Sequence, residues 1–72
     1  MVLTVVKIDG EKLKETRERA FLSKGELAER AGLDRNTVGR VEKAGVTDVH
    51  PRTIRKLAGA LSADPASLTP KD

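Results

Sequence analysis

The sequence predicts an all-α fold, a bundle of five short helices preceded by a short extended strand. Five segments carry a helix-start signal, either a side chain that caps helices or a proline suited to the first turn. An apolar residue precedes each start, and a second follows five positions later, in the spacing of the hydrophobic staple. We therefore predict a single domain over 1–72, with an extended arm over 1–8 and a helical bundle over 9–69. The staple pairs are Ile8/Leu13, Leu22/Leu27, Leu33/Val38, Val49/Ile54 and Ala63/Leu68.

The N-terminal arm is rich in β-branched residues from Leu3 to Ile8, which predicts a short strand. The sequence offers this strand no obvious partner, and an unpaired strand exposes backbone groups that invite pairing. We expect it to pair antiparallel with its copy across the two-fold axis of a homodimer, or to add to the sheet of another protein. The alternative is an extended tail that lies over the first helix.

Capping residues delimit the first three helices. Their side-chain oxygens accept hydrogen bonds from backbone N–H groups that have no partner inside the helix. In the second helix, Glu26 lies three residues after Ser23, which completes a capping box. The predicted caps are Asp9, Ser23 and Asp34, and the first and third helices run over about 10–20 and 35–43.

The C-terminal third of the chain predicts a loop and two further helices. The loop covers 46–48, and Pro51 suits the first turn of the fourth helix. The lone His50 is expected at this helix start or on the surface. Asp64 and Pro65 open a final short helix. The apolar face of the fourth helix consists of Ile54, Leu57, Ala58 and Leu61.

The segment from Leu22 to Glu42 has the spacing of two helices that cross at a tight turn. Ala28 is small where the first helix must approach the second, and Gly32 follows four residues later, where the chain needs a positive φ. Val38 and Val41 give the second helix an apolar stripe. This pattern predicts a helix-turn-helix unit. The alternative is an ordinary helical hairpin.

The second helix of this unit begins with side chains that suit the edges of bases. The guanidinium of Arg35 matches guanine O6 and N7, and the amide of Asn36 matches adenine N6 and N7. Thr37 suits a thymine methyl or a phosphate, and Arg40 lies one turn beyond Asn36. Each bidentate contact discriminates between bases by about 1–3 kcal/mol. The alternative is an exposed polar helix face.

Composition narrows the class of protein. The 72 residues include no cysteine, which excludes disulfides and thiolate metal sites and fits a reducing cytoplasm. No apolar run approaches the roughly 20 residues that cross a bilayer, and no secretion signal is visible. The single aromatic, Phe21, argues against single-strand binding by base stacking. We find no catalytic constellation and expect neither an enzyme nor a cofactor, a metal site or a membrane association.

The charges are distributed unevenly along the chain. Fourteen basic and eleven acidic residues give a net charge of +3. A basic face opposite an acidic one suits a polyanionic partner, whereas the alternative is a mixed solvated surface. The acids on the first helix are Glu11, Glu15 and Glu18, and the basic residues beyond it are Lys24, Arg35, Arg40, Lys43, Arg52, Arg55 and Lys56.

Four segments together resemble the helix-turn-helix domain of the Cro/lambda-repressor type, the XRE family. The likeness extends over about 9–69. It implies a five-helix bundle that dimerises on palindromic double-stranded DNA. The matching segments are Leu13-Lys14-Glu15-Thr16-Arg17-Glu18, Leu22-Ser23-Lys24-Gly25-Glu26-Leu27-Ala28, Ala31-Gly32-Leu33-Asp34-Arg35-Asn36-Thr37-Val38 and Thr53-Ile54-Arg55-Lys56-Leu57-Ala58.

The resemblance also implies roles for individual side chains. Arg17 and Glu42 are expected to form a partly buried ion pair that locks the recognition helix to the scaffold. Phe21, where the family often has glycine, is expected in the core. The base-reading positions are Arg35, Asn36 and Arg40, and the phosphate contacts include Ser23 and Lys24. The full expected DNA-binding set is Ser23, Lys24, Arg35, Asn36, Thr37, Arg40, Lys43 and Arg52.

Two classes of function follow from the sequence. The first is a cytoplasmic, sequence-specific regulator of transcription, most often a repressor in this family, that reads the major groove of double-stranded DNA with the helix over 35–43. The second is a protein-interaction module, such as an antitoxin that binds a partner protein with or without DNA. The dependence of duplex binding on salt distinguishes the two, because a DNA binder weakens steeply as salt rises.

Overall fold

The computed structural model describes residues 4–70, which form four α-helices, a two-stranded antiparallel sheet and one short 3-10 helix. The sheet joins the N-terminal strand to the segment that follows the third helix. In chain order the elements are β1 (Val6–Asp9), α1 (Gly10–Arg19), α2 (Lys24–Ala31), α3 (Arg35–Ala44), β2 (Val46–Val49), α4 (Pro51–Ala60) and the 3-10 helix (Pro65–Leu68).

The predicted helix starts are confirmed. Asp9 accepts hydrogen bonds from the backbone N–H groups of Glu11 and Lys12. Asp34 accepts one from the N–H of Asn36 at 3.0 Å. His50 caps α4, because its Nδ1 accepts a hydrogen bond from the backbone N–H of the second helical residue at 3.1 Å. Caps therefore fix where each helix enters the bundle.

Three helices end in the same left-handed turn, known as the Schellman motif. The residue with positive φ is Gly32 after α2, as predicted, but Phe21 after α1 and Ser62 after α4. After α1, the N–H of Leu22 donates to the carbonyl of Arg17 at 3.2 Å, which closes the turn. Phe21 is 92% exposed, so its expected place in the core is wrong. The turn directs this side chain into solvent.

We predict that Phe21→Gly stabilises the domain by about 1 kcal/mol, because glycine adopts positive φ without a steric penalty. The substitution removes no buried contact. Thermal unfolding followed by circular dichroism measures the change. Ser62→Gly, at the same position of the turn after α4, is the matched comparison and should also raise the melting temperature. A lower melting temperature for Phe21→Gly would contradict the strain argument.

The loop expected over 46–48 is wrong, since these residues belong to β2. The register pairs Ile8 with Thr47 and Lys7 with Asp48, whose side chains form an exposed ion pair of 2.8 Å. The premise that the N-terminal strand lacks a partner in this chain is therefore also wrong. Of the strand predicted over 3–8, Leu3 lies outside the described residues, and β1 begins only at Val6.

The fold is mostly helical rather than all-α, and the fifth α-helix is not present among residues 4–70. Asp64 caps its segment as expected, but Pro65–Leu68 forms a single 3-10 turn. The ammonium of Lys12 on α1 donates to the carbonyl of Thr69 at 2.7 Å, which fastens the end of the described chain to α1. Four residues are too few to complete a second helical turn, so the shorter hydrogen bond is favoured.

The core lies between the helices and the inner face of the sheet. The four α-helices, β1 and the 3-10 helix contribute buried residues, and β2 packs the partly buried Val49 against them. Each staple pair contributes at least one buried aliphatic residue. α3 packs against α1 and α2, so its opposite face is left in solvent. The buried apolar residues are Ile8, Leu13, Leu22, Leu27, Ala28, Ala31, Val38, Val41, Ile54, Leu57, Ala58 and Leu68.

Candidate nucleic-acid interface

The helix-turn-helix predicted from spacing is present in α2 and α3. Ala28 is 2% exposed at the helix contact, and Gly32 has φ 69° at the turn. Val38 and Val41 of α3 face the core, with 0% and 5% exposure. Because this stripe is buried, the polar residues on the opposite side of α3 form a solvent-facing surface.

Most of the predicted DNA-binding residues converge on one shallow groove along this surface. Side chains from α3 and from the first residue of α2 line it, and the space is about 420 Å³. Four of the lining residues are cationic and none is acidic. We name this the basic groove; it is lined by Lys24, Arg35, Asn36, Gly39, Arg40 and Lys43.

Three predicted residues lie outside the basic groove. Ser23 is exposed as the N-cap of α2, and Arg52 is exposed in the first turn of α4. Thr37 is half-buried and lines a separate cavity of about 200 Å³ between α3, β2 and the start of α4. Arg40 borders both spaces. The structure therefore groups the base-reading candidates on one face and leaves Ser23, Thr37 and Arg52 at its margins.

The predicted ion pair between Arg17 and Glu42 is present and buried. Nε of Arg17 donates to Oε2 of Glu42 at 2.7 Å, and Nη2 donates to Oε1 at 3.1 Å. The two side chains are 9% and 4% exposed. Nη1 of Arg17 donates to the carbonyl of Leu22 at 2.7 Å. The hydrogen bond to Glu42 raises the pKa of Arg17 above its ordinary value, against the opposing effect of burial.

This ion pair ties α3 to the rest of the fold. A single guanidinium connects α1 to the last turn of α3 and to the turn that enters α2. Bidentate pairing fixes the angle as well as the distance between the groups. The helix that carries Arg35 and Arg40 is thus tied to the scaffold at its far end.

The N-terminus of α2 is held by a complete capping box. Oγ of Ser23 accepts from the N–H of Glu26 at 3.1 Å, and the carboxylate of Glu26 accepts from the N–H of Ser23 at 2.9 Å. The backbone hydrogen bond from Ser23 is the main reason that the pKa of Glu26 is lowered from its ordinary value. Lys24 follows Ser23 directly, so the capping box also fixes the position of the lysine backbone beside the basic groove.

The capping box predicts a stability difference that depends on pH. The pKa of Glu26 is lower in the folded state than in the unfolded chain, so the ionised carboxylate stabilises the fold at neutral pH. This stabilisation is lost as the pH falls below the ordinary pKa of glutamate, about 4.3, and through the lower pKa of the folded state. Glu26→Gln keeps an acceptor but cannot titrate. The variant should be less stable than the wild type at pH 7 and approach it near pH 3, as measured by urea unfolding. A constant difference across this range would contradict the prediction.

Two residues near the groove were missed by sequence reasoning. A Cβ added at Gly25 would lie 3.8 Å from Cδ of Arg35, so the stem of this arginine runs beside α2. Lys14 of α1 borders an adjoining groove that shares Lys24 and Lys43. No local signal marks either position, because both depend on how separate helices pack.

Two other features are absent from residues 4–70. No three histidine, aspartate or glutamate side chains are grouped so that they could hold a metal ion. No helix in the same range has the length and apolar character required to cross a bilayer.

Comparison with protein families gives a match over nearly the whole described chain. The model of the helix-turn-helix domain family matches residues 10–69. The chain belongs to this helix-turn-helix family. It is a DNA-binding transcription regulator of the Cro/lambda-repressor type. The predicted resemblance is confirmed, and a search of curated proteins gives no significant match.

Solved structures share the fold. The restriction-modification controller protein C.AhdI from Aeromonas hydrophila is 41% identical, with 81% of this chain and 86% of that chain covered and a TM-score of 0.75. The N-terminal DNA-binding domain of SinR from Bacillus subtilis is 23% identical, with 90% and 94% covered and a TM-score of 0.79. Hydroxyethylphosphonate dioxygenase is 26% identical with a TM-score of 0.76, but 89% of this chain covers only 14% of that enzyme.

Proposed function

We propose that residues 1–72 act as one domain, a homodimeric transcriptional repressor that recognises a specific duplex with α3. The observation that carries this proposal is the basic groove on the solvent face of the second helix of the motif. A helix of this kind enters the major groove with its N-terminal residues toward the bases. Arg35 and Asn36 are in the first turn of α3 and would read base edges, while Lys24 and Lys43 would neutralise phosphates.

The residues at the margins of the basic groove would make additional contacts with the duplex. The hydroxyl of Ser23 is used as an acceptor by the capping box and retains a proton to donate to a phosphate. Arg52 would contact the backbone from α4, Thr37 a phosphate or a thymine methyl, and Arg40 a base or the backbone. The proposed function is binding without catalysis, and the proposed location is the cytoplasm.

Two solved relatives support this proposal. SinR, a master regulator for biofilm formation, has been solved in complex with DNA. C.AhdI is described as a controller of restriction-modification. Occupation of a promoter by such a domain excludes other proteins from the same DNA, which is the physical basis of repression.

The proposed homodimer would place two copies of α3 about 34 Å apart, one turn of the duplex. A dimer interface through residues 3–8 remains a prediction. β2 already pairs with one edge of β1, which limits the edges available to a second copy. Only the opposite edge of β1 is left for pairing with a second copy. Sedimentation of a variant that lacks 1–7 tests this interface, since an unchanged dimer would exclude it.

Selection of sites from a random duplex library tests the DNA-binding function. We expect a palindromic motif, and Arg35→Ala or Asn36→Ala should weaken the selected duplex by about 1–3 kcal/mol and relax specificity at one position. Lys24→Gln should instead weaken all duplexes alike and reduce the slope of log affinity against log salt by about 1. Arg30→Gln removes one positive charge at an exposed position of α2 outside the basic groove and is the control. No binding to any duplex at low salt would overturn the proposal.

One observation favours the second candidate function, a module that binds a partner protein. Phe21 is a large apolar side chain, 92% exposed, in a backbone conformation that bulky residues rarely adopt. If no duplex binds, capture of a partner by the wild type but not by Phe21→Ala would support this candidate. Equal capture by both chains would exclude Phe21 as the contact.

A further inference from the structure

The basic groove continues beyond α3 toward α1. A second depression of about 270 Å³ adjoins it, lined by Lys14, Lys24, Gly39, Glu42 and Lys43. Three of these residues, Lys24, Gly39 and Lys43, also line the basic groove. The two spaces therefore form one surface that crosses α3 at Gly39 and ends at Lys14 of α1.

Gly39 lies at the bottom of this surface, where the two depressions meet. The fold itself does not require a glycine at position 39. A Cβ added there would meet nothing within 4 Å beyond its own helix, and its φ is not in the left-handed region. Glycine in the middle of a helix is unfavourable because it loses the most backbone entropy on folding. Any longer side chain at position 39 would stand between Lys24 and Lys43 and obstruct the surface.

The charge of the depression is positive despite Glu42. The carboxylate of Glu42 is bonded through both oxygens to Arg17, and its side chain is 4% exposed. The three lysines are exposed. On the other side, Lys14 borders a depression that it shares with Glu11, Glu15 and Glu18. An anion is therefore attracted to the α3 side of Lys14 and repelled from the other.

We propose that the depression over Gly39 seats a backbone phosphate of the bound duplex, held by Lys14, Lys24 and Lys43. Gly39 admits the phosphodiester strand, and Lys14 makes α1 part of the DNA-binding surface. Lysine suits this task because its ammonium is a point charge that needs no particular orientation toward phosphate. This inference rests on the proposed DNA-binding function.

Salt titration tests the role of Lys14. The affinity of the full chain for its selected duplex is measured by fluorescence anisotropy at increasing salt. Lys14→Gln should reduce the slope of log affinity against log salt by about 1, because one fewer phosphate is neutralised. Arg30→Gln, which removes one positive charge at an exposed position of α2 outside both depressions, should keep the wild-type slope. A wild-type slope for Lys14→Gln overturns the proposal.

Substitution of Gly39 tests whether the absence of a side chain at this position is needed for duplex binding. Gly39→Ala and Gly39→Leu should raise the melting temperature, because both are better helix formers, while Gly39→Leu should weaken duplex binding at least tenfold. The loss should be equal for the selected and a scrambled duplex, since phosphate contacts carry no sequence information. Gly59→Ala in α4, where the added Cβ also meets nothing within 4 Å, should gain stability without loss of binding.

The outcomes separate this inference from the proposed function. If the wild type binds no duplex, the DNA-binding proposal fails and this one with it. If the wild type binds and Gly39→Leu binds equally well, only the phosphate seat is overturned. A loss confined to the selected duplex also overturns it, because that result indicates a contact with bases rather than with the backbone.

Discussion

Glu42→Ala is expected to destabilise the domain by about 3–5 kcal/mol, the usual cost of removing one partner from a buried ion pair. The substitution leaves the guanidinium of Arg17 at 9% exposure with two of its three hydrogen bonds lost. A core of this size rarely supplies more than about 3–5 kcal/mol, so most molecules should be unfolded at 25 °C. Circular dichroism at 222 nm during urea titration measures the loss.

The double variant Arg17→Met, Glu42→Met is the control. Replacing both charges by apolar groups of similar size is often neutral or stabilising, so this variant should recover most of the lost stability. Its DNA affinity then reports whether the ion pair also orients α3, independently of folding. If the free energy of unfolding of Glu42→Ala is within about 0.5 kcal/mol of the wild-type value, the ion pair has no structural role.

Helix starts were predictable because the chemistry that creates them is local. Ser23 and Glu26 are three residues apart, and their reciprocal hydrogen bonds form wherever that segment becomes helical. The same holds for Asp9 and Asp34. Gly32 was also predictable, since a left-handed residue is needed between two helices that cross after a tight turn.

The sheet was not predictable by the same means. β1 and β2 pair residues that are distant in sequence, such as Lys7 and Asp48, whose numbers differ by 41. Four-residue strands with exposed polar side chains give a weak periodic signal, and only the packing of the helices brings the two segments together. The β-branched residues of the N-terminal segment predict a strand, whereas the residues of its partner, 46–48, predict a loop.

The candidate site divides in the same way. Arg35, Asn36 and Arg40 were expected on the solvent side because the apolar stripe of α3 fixes its opposite face, and all three are exposed. Phe21, where the family often has glycine, is expected in the core, yet the turn after α1 directs it outward. Lys14 was missed because it shares the surface of α1 with Glu11, Glu15 and Glu18, whereas its neighbours across the groove are lysines.

The contact between α1 and α3 leads to the second large expected effect, for Gly10→Ala. A Cβ at Gly10 would overlap the carbonyl oxygen of Val41 and lie 3.0 Å from both Cα of Glu42 and the carbonyl oxygen of Gly45. All three atoms belong to backbone, so no side chain can move aside. The N–H of Gly10 also donates to the carbonyl of Gly45 at 2.8 Å, which holds the helix start against the end of α3.

We expect Gly10→Ala to cost about 3 kcal/mol, the upper end of overpacking, because α1 must move away from α3 as a unit. That displacement would also separate Arg17 from Glu42, so the variant should lose DNA binding beyond what its unfolded fraction explains. Gly59→Ala, at an open position in α4, should instead stabilise by about 1 kcal/mol and is the control for adding a methyl group to a helix. A melting temperature for Gly10→Ala within two or three degrees of the wild type would mean that the two helices are not in the close contact that holds the recognition surface in place.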